Sequence, residues 1–258
     1  NSGGTLYIDG GSLTINGTTQ MLIGRTSTFN GDVQMSAGTL TATGIYLGNA
    51  GATTPVGTFT QTGGTINTGI LDIGGKSSFT HSAGTNNVNG TLKLENTTST
   101  YTHTTGISVI NVAGDFNNNG VYTTGTGAAT INIAGNWYNN LTFTTSSTHT
   151  VTFNGTGSQT ISGSVSSKFN NLTINNNAGV NISNDQTVNS TLTLTSGNLT
   201  IGSNNLILGS NASAVAGGPF SAAKMIVADG SGEVRKNFTA NGSYAFPIGD
   251  NTGTAEYS

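Results

Sequence analysis

Apolar residues along this chain recur in short alternating runs. Leu71-Asp72-Ile73, Leu92-Lys93-Leu94, Leu172-Thr173-Ile174, Val180-Asn181-Ile182, Leu192-Thr193-Leu194, Leu199-Thr200-Ile201 and Leu206-Ile207-Leu208 each set apolar side chains two residues apart. That is the period of a strand with one buried face. Gly or Asn interrupts every run before a helical stripe forms, and each glycine inside a helix would cost up to ~1 kcal/mol against alanine. The pattern predicts many short strands joined by Gly/Asn turns.

The runs belong to a repeat. An aromatic residue opens each unit, at Phe59, Phe79, Tyr101, Tyr122 and Phe143, with steps of 20, 22, 21 and 21. A glycine follows a later strand of the same unit, at Gly69, Gly90, Gly114, Gly135 and Gly155. The two series keep phase, and each unit holds about three strands. A unit this short buries no core alone, whereas stacked units bury one together. The fold class expected is all-β, a parallel β-solenoid with coils of about 20–24 residues. With parallel strands ~4.8 Å apart, about twelve coils make a rod roughly 60 Å long. Its interior should hold Phe59, Ile66, Leu71, Ile73, Phe79, Val88, Leu92, Leu94, Tyr101, Val112, Phe116, Ile131, Ile133 and Trp137. The solenoid is assigned to residues 1–215. After about Lys168 aromatics thin out and the coils are expected to narrow. Residues 216–258, with Pro219 and the Lys224–Lys236 stretch, read as a small C-terminal β-hairpin or terminal module.

Composition narrows the class. Hydrophobic residues are only 33% and charged residues 7%, which leaves disorder as an alternative. Disordered chains, however, are rich in charge or proline, and this one has 3 prolines and abundant Thr, Val and Ile. A net charge of −3 supplies no basic surface to displace counterions, so nucleic acid is not an expected partner. Without cysteine there is no disulfide, thiolate nucleophile or zinc–thiolate site. No window approaches the ~18 apolar residues of a membrane helix. Asn1 opens directly into a strand-like run, which suits a mature protein or a fragment of a longer one.

Three runs in the last third carry a resemblance. They are Gly197-Asn-Leu-Thr-Ile-Gly-Ser-Asn-Asn-Leu-Ile-Leu-Gly, Gly232-Glu-Val-Arg-Lys and Phe246-Pro-Ile-Gly-Asp. Over roughly residues 160–258 the chain resembles large repeat-containing cell-surface proteins of Bacteroidetes. Those proteins are type IX secretion substrates that serve as adhesins, gliding proteins or outer-surface polymers. The resemblance implies an extracellular, cell-surface setting. It brings no catalytic residues and no secretion signal within this chain.

Candidate chemistry is sparse. Parallel β-helices also host polysaccharide lyases and hydrolases, and glycoside hydrolysis needs two carboxylates about 5–10 Å apart. Asp72, Glu95 and Asp115 on successive coils are the best candidates. Lys93, one coil from Asp72, favours a stacked pair of opposite charges on a solvent face instead. His81 and His103 share a column with Gln61 and Thr124, which reads as a hydrogen-bonding column near a corner and not as a metal ladder. The Gly249-Asp-Asn-Thr-Gly run reads as a turn before it reads as a Ca²⁺ loop. Outward hydroxyl columns are the binding candidates: Thr58, Thr60, Thr62, Thr80, Thr100, Thr102, Thr104, Thr142 and Thr144. They interrupt at Val121 and Gly125. β-branched Thr suits any solvated strand face. The columns also offer hydrogen bonds to glycans or to a neighbouring rod, and they resemble the threonine arrays of ice-binding solenoids.

The expectation is a non-enzymatic extracellular rod, a segment of an adhesin, stalk or filament, with neither metal nor cofactor. Its partners would be neighbouring segments or further copies in a fibre, and glycans or cell surfaces. A polysaccharide-processing enzyme and an ice-binding solenoid are the alternatives.

Overall fold

A computed structural model describes residues 4–25, 29–49 and 55–250. Its strands form two parallel sheets, one of sixteen strands and one of eleven, with no helix among the described residues. The chain winds as an all-β parallel solenoid of about 11 turns with ~21 residues per turn. At ~4.8 Å per coil the rod is roughly 50 Å long.

A middle coil shows the plan. Thr100–His103, Ser108–Val112 and Phe116–Asn118 are its three strands. Each pairs in parallel with its counterparts one coil before and one coil after. Three strand stacks result, here termed first, second and third in chain order. The third is the eleven-stranded sheet. The first two merge into the larger sheet because long strands such as Gly31–Ala42 turn the corner between them, pairing with both Gly57–Gln61 and Thr65–Thr68.

Alternation decides what lies inside. The strands of the middle coils bury every second residue, and all fourteen side chains expected in the interior are buried. The aromatic series forms one stack down the first strand position. Ring centroids are 4.8 Å apart for Phe59–Phe79, 5.0 Å for Phe79–Tyr101, 5.5 Å for Tyr101–Tyr122 and 5.2 Å for Tyr122–Phe143. Coil spacing imposes those separations, and they fall in the favourable range for offset rings. Phe116 and Trp137 stack at 4.1 Å in the third stack. Beyond Lys168 the interior is largely aliphatic, with Leu172, Ile174, Leu192, Leu194 and Leu206 among its members.

The glycine series marks a tight corner. A Cβ on Gly114 would sit 2.7 Å from the Gly90 carbonyl oxygen, and one on Gly135 would sit 2.2 Å from that of Gly114. Glycine recurs there because successive coils approach through bare backbone.

The Lys224–Lys236 stretch does not fold as the expected hairpin. Ile226–Val227 joins the eleven-stranded sheet beside Leu199–Thr200, and Val234–Lys236 joins the larger sheet beside Leu206–Leu208. Ile248–Gly249 then pairs in parallel with Ile226–Val227. These short strands lengthen the solenoid. Parallel pairing wins because Ile226, Val227 and Met225 gain full burial against the preceding coil.

Candidate functional site

The first outer face carries the hydroxyl columns. Thr60, Thr80, Thr102, Thr123 and Thr144 occupy equivalent positions on five successive coils. Beside them run Thr58, Ser78, Thr100, Val121 and Thr142. Thr62 and Thr104 follow their strands on the same side, and none of the nine threonines singled out by sequence is buried. Hydroxyls also touch between coils: Thr104 Oγ1 donates to Ser82 Oγ at 2.7 Å, and Thr123 Oγ1 to Thr102 Oγ1 at 3.3 Å. The interruption at Val121 is real, yet the middle column is continuous through Thr123. Aligning Tyr122 with Tyr101 would have revealed Thr123 from sequence, because the next residue always faces outward.

The second outer face carries a longer array that the sequence reading missed. One column runs Thr41, Asn67, Asn87, Asn111, Asn132, Thr152, Thr173 and Thr193. Its neighbour runs Thr39, Thr65, Thr85, Val109, Thr130, Thr150, Asn171 and Thr191. Neither column contains a charge. The four asparagines bond head to tail: Asn87 Nδ2 to Asn67 Oδ1 at 2.9 Å, Asn111 to Asn87 at 2.8 Å, and Asn132 to Asn111 at 2.8 Å. A shallow groove of about 460 Å³ lies over them. The available signal was the Asn three residues before the corner glycine in Asn87/Gly90, Asn111/Gly114 and Asn132/Gly135.

The third outer face holds the carboxylates. Tyr46, Asp72 and Lys93 are register neighbours. Lys93 does not pair with Asp72 on a solvent face as expected. Its Nζ lies 3.2 Å from Glu95 Oε1, while Asp72 is only 6% exposed. Burial, then the Glu95 charge and a hydrogen bond to it, push the Asp72 carboxyl up to about 7, against the pull of Lys93 and Arg25. Arg25 lies over the Tyr46 ring at 4.8 Å. Asp72 is thus held toward its neutral form beside the Lys93–Glu95 ion pair. Asp115 is engaged elsewhere, its Oδ1 accepting the Asn136 backbone N–H at 2.7 Å.

His81 and His103 point inward, as Gln61 does, and all three are buried. His81 Nδ1 lies 2.9 Å from the Tyr101 hydroxyl, His103 Nδ1 2.6 Å from Ser108 Oγ, and His149 Nε2 3.1 Å from the Tyr122 hydroxyl. Burial holds His81 down to about 4 and His149 to about 3. His103 is held well below the usual imidazole range by burial and then by the other two rings. These imidazoles are neutral members of a polar seam in the core, and sequence gave no sign that His149 belongs to it. Among the described residues no group of His, Cys, Asp or Glu is arranged to hold a metal ion. Residues 251–253 of the Gly249-Asp-Asn-Thr-Gly run lie outside the described residues.

Comparison with protein-family models, curated proteins and solved structures returns no match.

Proposed function

We propose that this chain is a rod-like, non-enzymatic segment of an extracellular adhesin, stalk or filament, engaging its partner along its sides. The observation that carries the reading is the pair of neighbouring outer faces bearing uncharged hydroxyl and amide columns in coil register. Each partner contact is individually weak, because exposed polar groups are already hydrated. Repetition along the rod converts weak contacts into retention, as linked binding modules do. The seven Lys and Arg are too few and scattered to steer a charged polymer, whereas a neutral hydroxylated surface needs no such steering. An extracellular site suits a charge-poor, Thr/Asn-rich surface and agrees with the resemblance of the last third.

Beads coated with the protein test this on surfaces bearing neutral polysaccharide and on bacterial cells. Adhesion without release of reducing-end or unsaturated sugars is expected. Steady product release would establish the enzyme reading, and beads that slide off every surface would remove the adhesive one.

The unbroken Thr60–Thr144 column favours one second reading, the ordering of water as in ice-binding solenoids. Freezing-point depression beyond the colligative value would establish it.

A further inference from the structure

The asparagine groove on the second face has features that the threonine columns lack. Each amide has two N–H groups and two carbonyl lone pairs. The ladder uses one of each on the inner asparagines, Asn87 and Asn111. Every such side chain is left with one donor and one acceptor held at fixed orientation, since the chain of amide bonds aligns the groups and strengthens each of them. A donor beside an acceptor is the complement of a sugar hydroxyl, or of two neighbouring ones. The four amides repeat at coil spacing over about 14 Å. Alanine stands at the rim, at Ala113 and Ala134, both exposed, with Asn89 and Asn154 on the coils to either side. The small rim residues leave the central amides open from the side.

We infer that this groove is a subsite for an uncharged, linear polysaccharide lying along the solenoid axis above Asn67, Asn87, Asn111 and Asn132. The inference rests on the adhesive reading and narrows it to one face and one class of partner. Charged polymers are disfavoured because neither column of this face offers a counter-charge, and their ionic groups would lose hydration without compensation. The hydroxyl column that flanks the ladder on the side away from the groove is broken at Val109, two residues before Asn111. That break interrupts the hydroxyl array beside the ladder and argues against a continuous layer of ordered water there.

Native gel electrophoresis of the whole chain, through gels containing hydroxyethylcellulose, arabinoxylan, galactomannan or alginate, tests the subsite. Retardation is expected in at least one of the three neutral gels and not in alginate. Ala113→Trp with Ala134→Trp fills the groove from its rim, and should weaken retardation at least tenfold while far-UV circular dichroism is unchanged. Asn111→Thr with Asn132→Thr, which continues the flanking threonines, should weaken it similarly without blocking access. Full retardation of both variants, with loss instead in Thr102→Val/Thr123→Val on the first face, would overturn the groove and leave adhesion standing. So would bead adhesion with no retardation in any neutral gel. Failure of both beads and gels would remove the adhesive reading itself.

Discussion

The Tyr101 hydroxyl lies 2.9 Å from His81 Nδ1 and 3.0 Å from Asn86 Nδ2, where the stacked rings of the core meet its polar seam. The aromatic series thus does two things. Its rings fill the first strand position of successive coils, and two of its members, Tyr101 and Tyr122, carry hydroxyls that satisfy buried imidazoles.

Replacing Tyr101 by Phe keeps the ring stack and deprives two buried polar groups of their partner. A loss of roughly 1–3 kcal/mol is expected, the cost of leaving such groups unsatisfied. Urea unfolding checks it, and an unchanged midpoint would show that the seam relaxes around the missing hydroxyl.

The three buried histidines make the fold sensitive to acid. Their folded-state values lie below the unfolded value near 6.5, so the stability they contribute is complete above that pH and is lost as pH falls toward 4 and then 3. Asp72 works the other way. Its raised value means that its contribution is present below about 4 and lost as pH rises through about 7. Between those limits three histidines less one carboxyl leave about two net protons taken up on unfolding. The urea midpoint should fall steadily from pH 6.5 to 4. His81→Gln combined with His103→Gln and His149→Gln should remove the decline and leave the opposite, weaker trend of Asp72, a midpoint that rises as pH falls.

Asp72→Asn isolates the opposing contribution. Lys93 still pairs with Glu95, and an amide has no proton to lose at high pH. The variant should match the parent near pH 4 and exceed it in stability at pH 8. Equal stability at both pH values would show that the carboxyl is solvated when it ionises.

At the glycine corner, Gly135→Ala forces a methyl group against the Gly114 carbonyl oxygen. A cost of roughly 1–3 kcal/mol is expected for overpacking against backbone, read as a lowered unfolding midpoint. An unaltered midpoint would mean that the coils can separate there without penalty.

Period and composition made the solenoid legible. Alternation in Leu71-Asp72-Ile73 and its equivalents assigned inside from outside, and the Phe59 and Gly69 series set the coil length. The hairpin expected near Lys224 failed because turn residues such as Gly230 and Gly232 look alike whether the next strand returns beside its neighbour or continues around the coil. The first-face threonines were visible because they flank an aromatic marker. The asparagine ladder was not, since Asn is the commonplace turn residue of this chain and only register shows that Asn87, Asn111 and Asn132 share a column. Asp72 misled for a related reason. Register placed it beside Lys93, but two residues of separation put Glu95 within reach of the same ammonium.

A stalk under tension requires a stack in which each coil is held chiefly by its neighbours. Single-molecule stretching of the chain from its two ends tests this most directly. Successive peeling events are expected, each releasing one coil of ~21 residues, or about 70 Å of chain at ~3.3–3.6 Å per residue. One all-or-none extension, or lengthening without steps at negligible force, would contradict it.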